Sequence, residues 1–343
     1  MIVQGRKLGI RDVAQRAGVS VSSVSRVLDN HPDVSDVMRN RVMDAVAALG
    51  YEPDPVAQSM RTGTTMTIGL VAGDTSNPLI AQISLAAELK LREWGYSLLV
   101  ANSINDPTQE LANIKLLLNR RVDGLLLSVS DEASEKLREQ LESAAVPVVL
   151  LDREIRNIKI SRVNSDHDRG ITQAAEELLR LGHSRVALIN GNPRVRPSRE
   201  RANALRKAFR AEAGSGVNVV SGSFSDRHGY EAALALLQRA NRPTAIIAGS
   251  NQILVGVLRA IRFLGLHVPD DLSLITCDQT PLAELHEPPI ATIRRDASEI
   301  GVAAAELLRA AMQGGAAEQR NLPTRFEPAG SCTTPIGIES HER

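Results

Sequence analysis

Leu8-Gly9-Ile10-Arg11-Asp12-Val13-Ala14-Gln15-Arg16-Ala17-Gly18-Val19-Ser20-Val21-Ser22-Ser23-Val24-Ser25-Arg26-Val27-Leu28-Asp29-Asn30 carries the pattern of two short helices joined by one tight turn. Ile10, Val13, Ala14 and Ala17 recur at i, i+3, i+4 and i+7, which gives the first helix a single apolar face. Gly18 adopts a left-handed conformation at little steric cost and so stops that helix. Ser20 offers a side-chain oxygen to cap the second. On the second helix Val24, Val27 and Leu28 turn inward, while Ser22, Ser25 and Arg26 share the opposite face. A short helix with a small, polar, basic outer face fits the major groove, where an arginine meets a guanine edge with two donors. The expectation is a chain that reads double-stranded DNA.

Outward from this stretch, Ser35 caps a third helix running to Leu49, with Val42, Val46 and Leu49 as its buried stripe and Gly50 as its stop. Pro53, Asp54 and Pro55 then break the chain before Val56-Ala57-Gln58-Ser59-Met60-Arg61, which ends at Thr62-Gly63. A helix this short is not stable alone in water, so it reads as a hinge that folds only when supported. From Thr67 the texture changes to alternating apolar runs and amphipathic helices. Strand candidates include Thr67–Ala72, Leu98–Ala101, Gly124–Ser128, Val146–Leu151, Val186–Ile189, Val217–Val220, Thr244–Ala248 and Leu272–Thr276. Helices such as Pro78–Trp94, Thr108–Arg120 and Asp168–Leu181 separate them. That alternation predicts parallel sheets with right-handed crossovers. The strands are too many for one sheet with a single switch point, so the expected fold class is an all-α headpiece followed by a two-lobed α/β core. Such folds bind ligands at the carboxyl ends of their strands, here in a cleft between lobes.

Composition agrees with this plan. At 343 residues the chain is long enough for two or three domains. Lysine plus arginine and aspartate plus glutamate both number 40, yet residues 1–30 hold Arg6, Lys7, Arg11, Arg16 and Arg26 against Asp12 and Asp29, a local basic excess. Cys277 and Cys332 form no C-x-x-C pair and suit a reducing cytoplasm. Met1 to Ile10 has no apolar core or cleavage site and does not read as a signal peptide, and no run of 18 apolar residues spans a membrane. The sequence has no G-x-S-x-G, P-loop, G-x-G-x-x-G or H-E-x-x-H, and its histidines lack metal-ligand spacing. Neither enzymatic activity nor a cofactor is expected.

Ala17-Gly18-Val19-Ser20, Val24-Ser25-Arg26-Val27-Leu28, Val34-Ser35 and Leu49-Gly50-Tyr51 together resemble the headpiece of the lactose/galactose-repressor (LacI/GalR) family, and the likeness continues over about residues 8–330. It implies a headpiece over residues 1–52, a hinge over 53–64, a periplasmic-binding-protein-like core over 65–334 and a tail over 335–343. Within the core, residues 66–164 and 295–324 would form one lobe, and 165–294 and 325–334 the other. The implied DNA contacts are Val21, Ser22, Ser23 and Arg26 on the second helix and Ala57, Gln58 and Met60 in the hinge. Val21 either packs in the apolar stripe or meets a thymine methyl, and Ser22 and Ser23 reach bases or phosphates. Met60 stands where the family has a leucine that wedges into the minor groove. Gln58 replaces a common arginine.

In the core, the resemblance implies effector contacts at Leu79, Arg201, Phe224, Ser250 and Asp278, and Arg153, at the end of Val-Val-Leu-Leu-Asp-Arg, is a further candidate. The ring of Phe224 would stack on a ligand face, and Asp278 would accept hydroxyls. Leu79-Ile80 stands where the family often has two aromatics, and Ser250-Asn251 where it has Asn-Asp, so this pocket is the less aromatic. Arg194, Arg196, Arg199 and Arg201 fall within eight residues; they read either as a solvated run or as a site for an anionic effector. The resulting expectation is a cytoplasmic homodimeric repressor of a catabolic operon, gated by a sugar-like or sugar-acid-like molecule and bound to a pseudo-palindromic operator. A regulator gated by a protein partner and a DNA-inactive cleft-binding protein are the alternatives.

Overall fold

The computed structural model describes residues 8–29, 31–52, 59, 63–210 and 216–335. The chain divides into two compact units, Met1–Thr65 and Met66–Arg343. In the first, α1 (Ile10–Ala17), α2 (Val21–Leu28) and α3 (Asp36–Leu49) enclose Val13, Ala14, Ala17, Val24, Val27, Val42 and Ala45. Gly18 takes φ 62° and closes α1 through its backbone N–H, Ser20 accepts from the Ser23 N–H at 3.1 Å, and Gly50 ends α3 at φ 59°. A tertiary lock joins these local signals: Arg41 on α3 donates to the Ala17 carbonyl at 2.6 Å, satisfying the end of α1. Val46 and Leu49 are only partly buried, and Ala45 takes the central place on the inner face of α3.

The second unit holds two six-stranded sheets. One is built from β1 (Thr67–Ala72), β2 (Ser97–Asn102), β3 (Gly124–Leu127), β4 (Val148–Leu151), β5 (Ser161–Asp166) and β11 (Gln319–Pro323), in the order β11-β5-β4-β3-β1-β2 and parallel throughout. Its helices are α4 (Pro78–Arg92), α5 (Pro107–Asn119), α6 (Glu135–Glu142) and α12 (Ala297–Met312). The other contains β6 (Arg185–Asn190), β7 (Gly216–Ser221), β8 (Ala245–Ala248), β9 (Ser273–Cys277), β10 (Ala291–Arg294) and β12 (Arg325–Glu327), in the order β12-β10-β9-β8-β6-β7. Here α7 (His167–Arg180), α8 (Arg196–Phe209), α9 (Asp226–Leu237), α10 (Asn251–Phe263) and α11 (Pro281–Leu285) accompany the strands. One edge departs from the all-parallel expectation: β12 runs antiparallel to β10, because the chain enters β12 directly from β11 of the other lobe.

Each sheet buries apolar side chains on both faces, as a doubly wound sheet must. Ile68, Leu70, Leu126 and Val149 pack toward α4 and α12, and Val71, Leu125, Leu127 and Leu150 toward α5 and α6. In the second lobe α9 and α10 approach so closely that a Cβ on Gly256 would stand 2.0 Å from the Asp226 carbonyl oxygen. The chain passes between lobes three times, at β5–α7, β10–α12 and β11–β12. These crossings set the carboxyl ends of both sheets against one cleft.

Candidate functional site

In the headpiece unit, α2 presents Val21, Ser22 and Arg26 to solvent; Ser23 is half-buried. Ser20, Ser22 and Ser23 form a hydroxyl cluster at the helix start, with Oγ–Oγ distances of 2.8 Å from Ser20 to each of the other two. The Arg26 side chain has no ion pair or hydrogen bond among the described residues, so its fork of donors is free for an external acceptor. Val21 is 41% exposed, which removes it from the packed stripe and leaves a methyl-bearing surface beside the polar ones. The hinge contacts expected at Ala57, Gln58 and Met60 lie outside the described residues.

In the core, Leu79, Arg153, Arg201, Phe224, Ser250 and Asp278 all line one cavity between the lobes, with a volume near 80 Å³. Leu79 is in the first turn of α4, whose cap Asn77 accepts from the Leu79 N–H at 2.9 Å. Ser250 is buried and its hydroxyl accepts from the Ile253 N–H at 3.2 Å, so it also caps α10. The Phe224 ring lies against Gly191, where an added Cβ would come within 2.2 Å of it; only glycine leaves the ring this place. Asp278 follows β9 with φ 75°, and Asp152 follows β4 in the other lobe with φ 53°. Two non-glycine residues in this sparsely populated region, at equivalent strand ends facing one cleft, mark the site the backbone is strained to build.

Residues the sequence reading did not single out join these carboxylates. Arg295, on the β10–α12 crossing, donates from Nε and Nη2 to Asp278 at 2.7 and 2.9 Å and from Nη1 to Asp152 at 2.7 Å. Asp152 also receives Arg196 at 3.0 Å, His167 at 2.8 Å and the Ser165 N–H at 3.1 Å. Burial would push both carboxyls up, but Arg295 holds Asp278 below the usual carboxylate range, and His167, Arg295 and Arg196 hold Asp152 well below it. Burial pushes His167 down to about 4 despite Asp152, so at neutral pH its ring is uncharged and donates from Nε2. No local pattern signals Arg295, since its partners lie 17 and 143 residues away.

In the arginine run Arg194 is exposed and Arg199 partly so, while Arg196 and Arg201 are shielded, and the run is not free to meet a ligand as a block. Arg194 pairs with Asp131, Arg196 with Asp152 and Arg199 with Glu132, each across the cleft. On the opposite side Asn251 donates to Asn77 at 2.8 Å and Gln252 to Asp74. Only Arg201 of the run lines the cavity.

A helix-turn-helix unit plus a two-lobed core with a polar interlobe cleft defines a DNA-binding regulator with a ligand-gated core. The sequence profile of bacterial regulatory proteins of the lacI family matches residues 9–54, and that of the periplasmic binding protein-like domain matches residues 175–332. The chain is 33% identical to the HTH-type transcriptional regulator DegA of Bacillus subtilis (strain 168) over 300 residues, covering 86% of this chain and 88% of that one. It is 32% identical to the ribose operon repressor of Haemophilus influenzae over 303 residues, covering 87% and 90%. The lac repressor dimer bound to operator and an anti-inducer superposes with a TM-score of 0.85 at 26% identity, over 96% of this chain and 100% of that one. The chain belongs to the LacI family of bacterial regulatory proteins and is a DNA-binding transcriptional regulator. Among its described residues no helix is long and apolar enough to cross a membrane.

Proposed function

We propose that this regulator is a cytoplasmic homodimeric repressor of a catabolic operon, released from or held on a pseudo-palindromic operator by a small polyhydroxylated molecule bound between its lobes. The observation that carries the reading is the convergence of Leu79, Arg153, Arg201, Phe224, Ser250 and Asp278 on one interlobe cavity, in a chain whose first unit exposes an unpaired Arg26 on α2. In this assignment Val21, Ser22, Ser23 and Arg26 meet the major groove, and Ala57, Gln58 and Met60 the minor groove. Dimerisation is supported by exposed apolar side chains in both lobes: Leu85, Leu89, Leu99, Val100 and Leu116 on α4, β2 and α5, and Phe263 and Leu285 on α10 and α11. Phe263 is 69% and Leu285 84% exposed, which a lone subunit would leave in water. The ribose operon repressor and the lac repressor dimer on its operator are relatives that fit this picture. Footprinting the chromosome of the source organism during growth on different carbon sources tests the proposal. Sites should be pseudo-palindromes beside catabolic genes, with occupancy that follows the carbon source in the wild type and not in Asp278→Ala. Occupancy that follows the carbon source equally in both would remove the cleft from the mechanism.

A further inference from the structure

The charges on the cleft wall do not all find partners. Asp152 receives four donors, two on each oxygen, which fills its lone-pair sites. Asp278 receives two, both from Arg295, and keeps one acceptor site on each oxygen. Arg153 and Arg201 have no carboxylate within ion-pair distance among the described residues. Arg153 donates from Nε and Nη1 to the carbonyls of Val129 and Asp152. Arg201 donates from Nη1 to the Gly249 carbonyl at 2.7 Å; its Nε is buried and has no partner, and the residue is 2% exposed. A buried cation with no carboxylate in direct contact, and with one donor unsatisfied, is costly. The cost is removed by an anion in the cavity that Arg201 and Arg153 both line.

We propose that the molecule bound in the cleft carries an oxyanion, a carboxylate or a phosphate, held by Arg201 and Arg153. Its hydroxyls use the two free acceptor sites of Asp278, and its carbon skeleton lies on the Phe224 ring. The planar guanidinium fork matches either oxyanion with two parallel hydrogen bonds, and the ligand's negative charge makes them stronger than those to neutral hydroxyls. Arg295 and Arg196 together neutralise Asp278 and Asp152, so the two carboxylates do not repel the ligand's charge. This inference rests on the cleft being the effector site.

Thermal unfolding of the full chain with D-gluconate, D-glucose 6-phosphate or D-glucose, each at millimolar concentration and matched ionic strength, tests it. Either anionic probe should raise Tm by about 3–6 °C once it exceeds its dissociation constant roughly tenfold. The arm that responds identifies carboxylate or phosphate, and D-glucose should leave Tm unchanged. Arg201→Gln should abolish the rise, and Arg153→Gln carries the same comparison if Arg201→Gln does not fold. A rise with D-glucose alone, or a rise that survives in a folded arginine variant, overturns the oxyanion while leaving the cleft as effector site. Silence from all three probes overturns it too, and the Asp278→Ala footprint then judges the cleft independently.

Discussion

Glu110 is a carboxylate that the fold keeps out of water for the sake of the cleft, and its replacement has a calculable consequence. It sits in the first turn of α5, is 2% exposed, and accepts from the Ser130 N–H at 2.8 Å. Ser130 begins the segment whose next two residues, Asp131 and Glu132, pair with Arg194 and Arg199 of the other lobe. Burial pushes Glu110 up to about 6 from an ordinary 4.5, with the Ser130 hydrogen bonds opposing it. A carboxyl raised in the folded state adds stability that is fully present below its unfolded pKa and is lost as pH rises through its folded pKa. A rise of about 1.5 pKa units at about 1.4 kcal/mol each gives a loss of about 2 kcal/mol between pH 4.5 and 6. Glu110→Gln keeps an acceptor for Ser130 and has nothing to titrate. Denaturant unfolding of both proteins from pH 4 to 7.5 should show the variant gaining about 2 kcal/mol on the wild type across that window, or roughly 4–8 °C in Tm for a domain of this size. A difference that stays constant with pH would refute the claim that Glu110 is penalised by burial.

Three other outcomes follow from named contacts. Arg26→Ala should cost about 1–3 kcal/mol of discrimination at one base pair per half-site, while affinity for unrelated DNA changes far less in competition anisotropy. Equal losses would make Arg26 a phosphate contact. Gly256→Ala drives a methyl to within 2.0 Å of the Asp226 carbonyl oxygen, so α9 and α10 must separate; a destabilisation of about 1–3 kcal/mol is expected, and a neutral change in urea would contradict this packing. Phe263→Lys places a charge on the exposed apolar face of α10 and should shift the sedimenting species from dimer to monomer, with weaker operator binding. An unchanged dimer would place the interface elsewhere.

How much of this was legible beforehand depended on range. The headpiece was readable because its determinants are local: the i, i+3, i+4, i+7 stripe, Gly18 and Ser20 all act within one turn of where they stand. Buried parallel strands such as Val148–Leu151 announce themselves as apolar runs. β5, with the sequence Ser-Arg-Val-Asn-Ser-Asp, does not, because its buried polar groups serve the crossing; Asp152 binds the Ser165 N–H and Thr324 donates to the Asp166 carbonyl. β11 and β12 are short and polar because each is an edge strand whose side chains largely face solvent. The six cleft residues singled out in the sequence all line one cavity. The resemblance gave no hint of Arg295 or of the carboxylates that absorb Arg194, Arg196 and Arg199, since those pairings exist only once the lobes face each other.

Selection of bound duplexes from a random DNA pool by the purified full chain, read by sequencing for the wild type and Arg26→Ala side by side, tests the central claim most directly. A dimer reading DNA through α2 should enrich a two-fold pseudo-palindrome, and Arg26→Ala should relax one G·C position in each half of it. Recovery of no motif, or of an identical motif from both proteins, would contradict the assignment of α2 as the DNA-reading element.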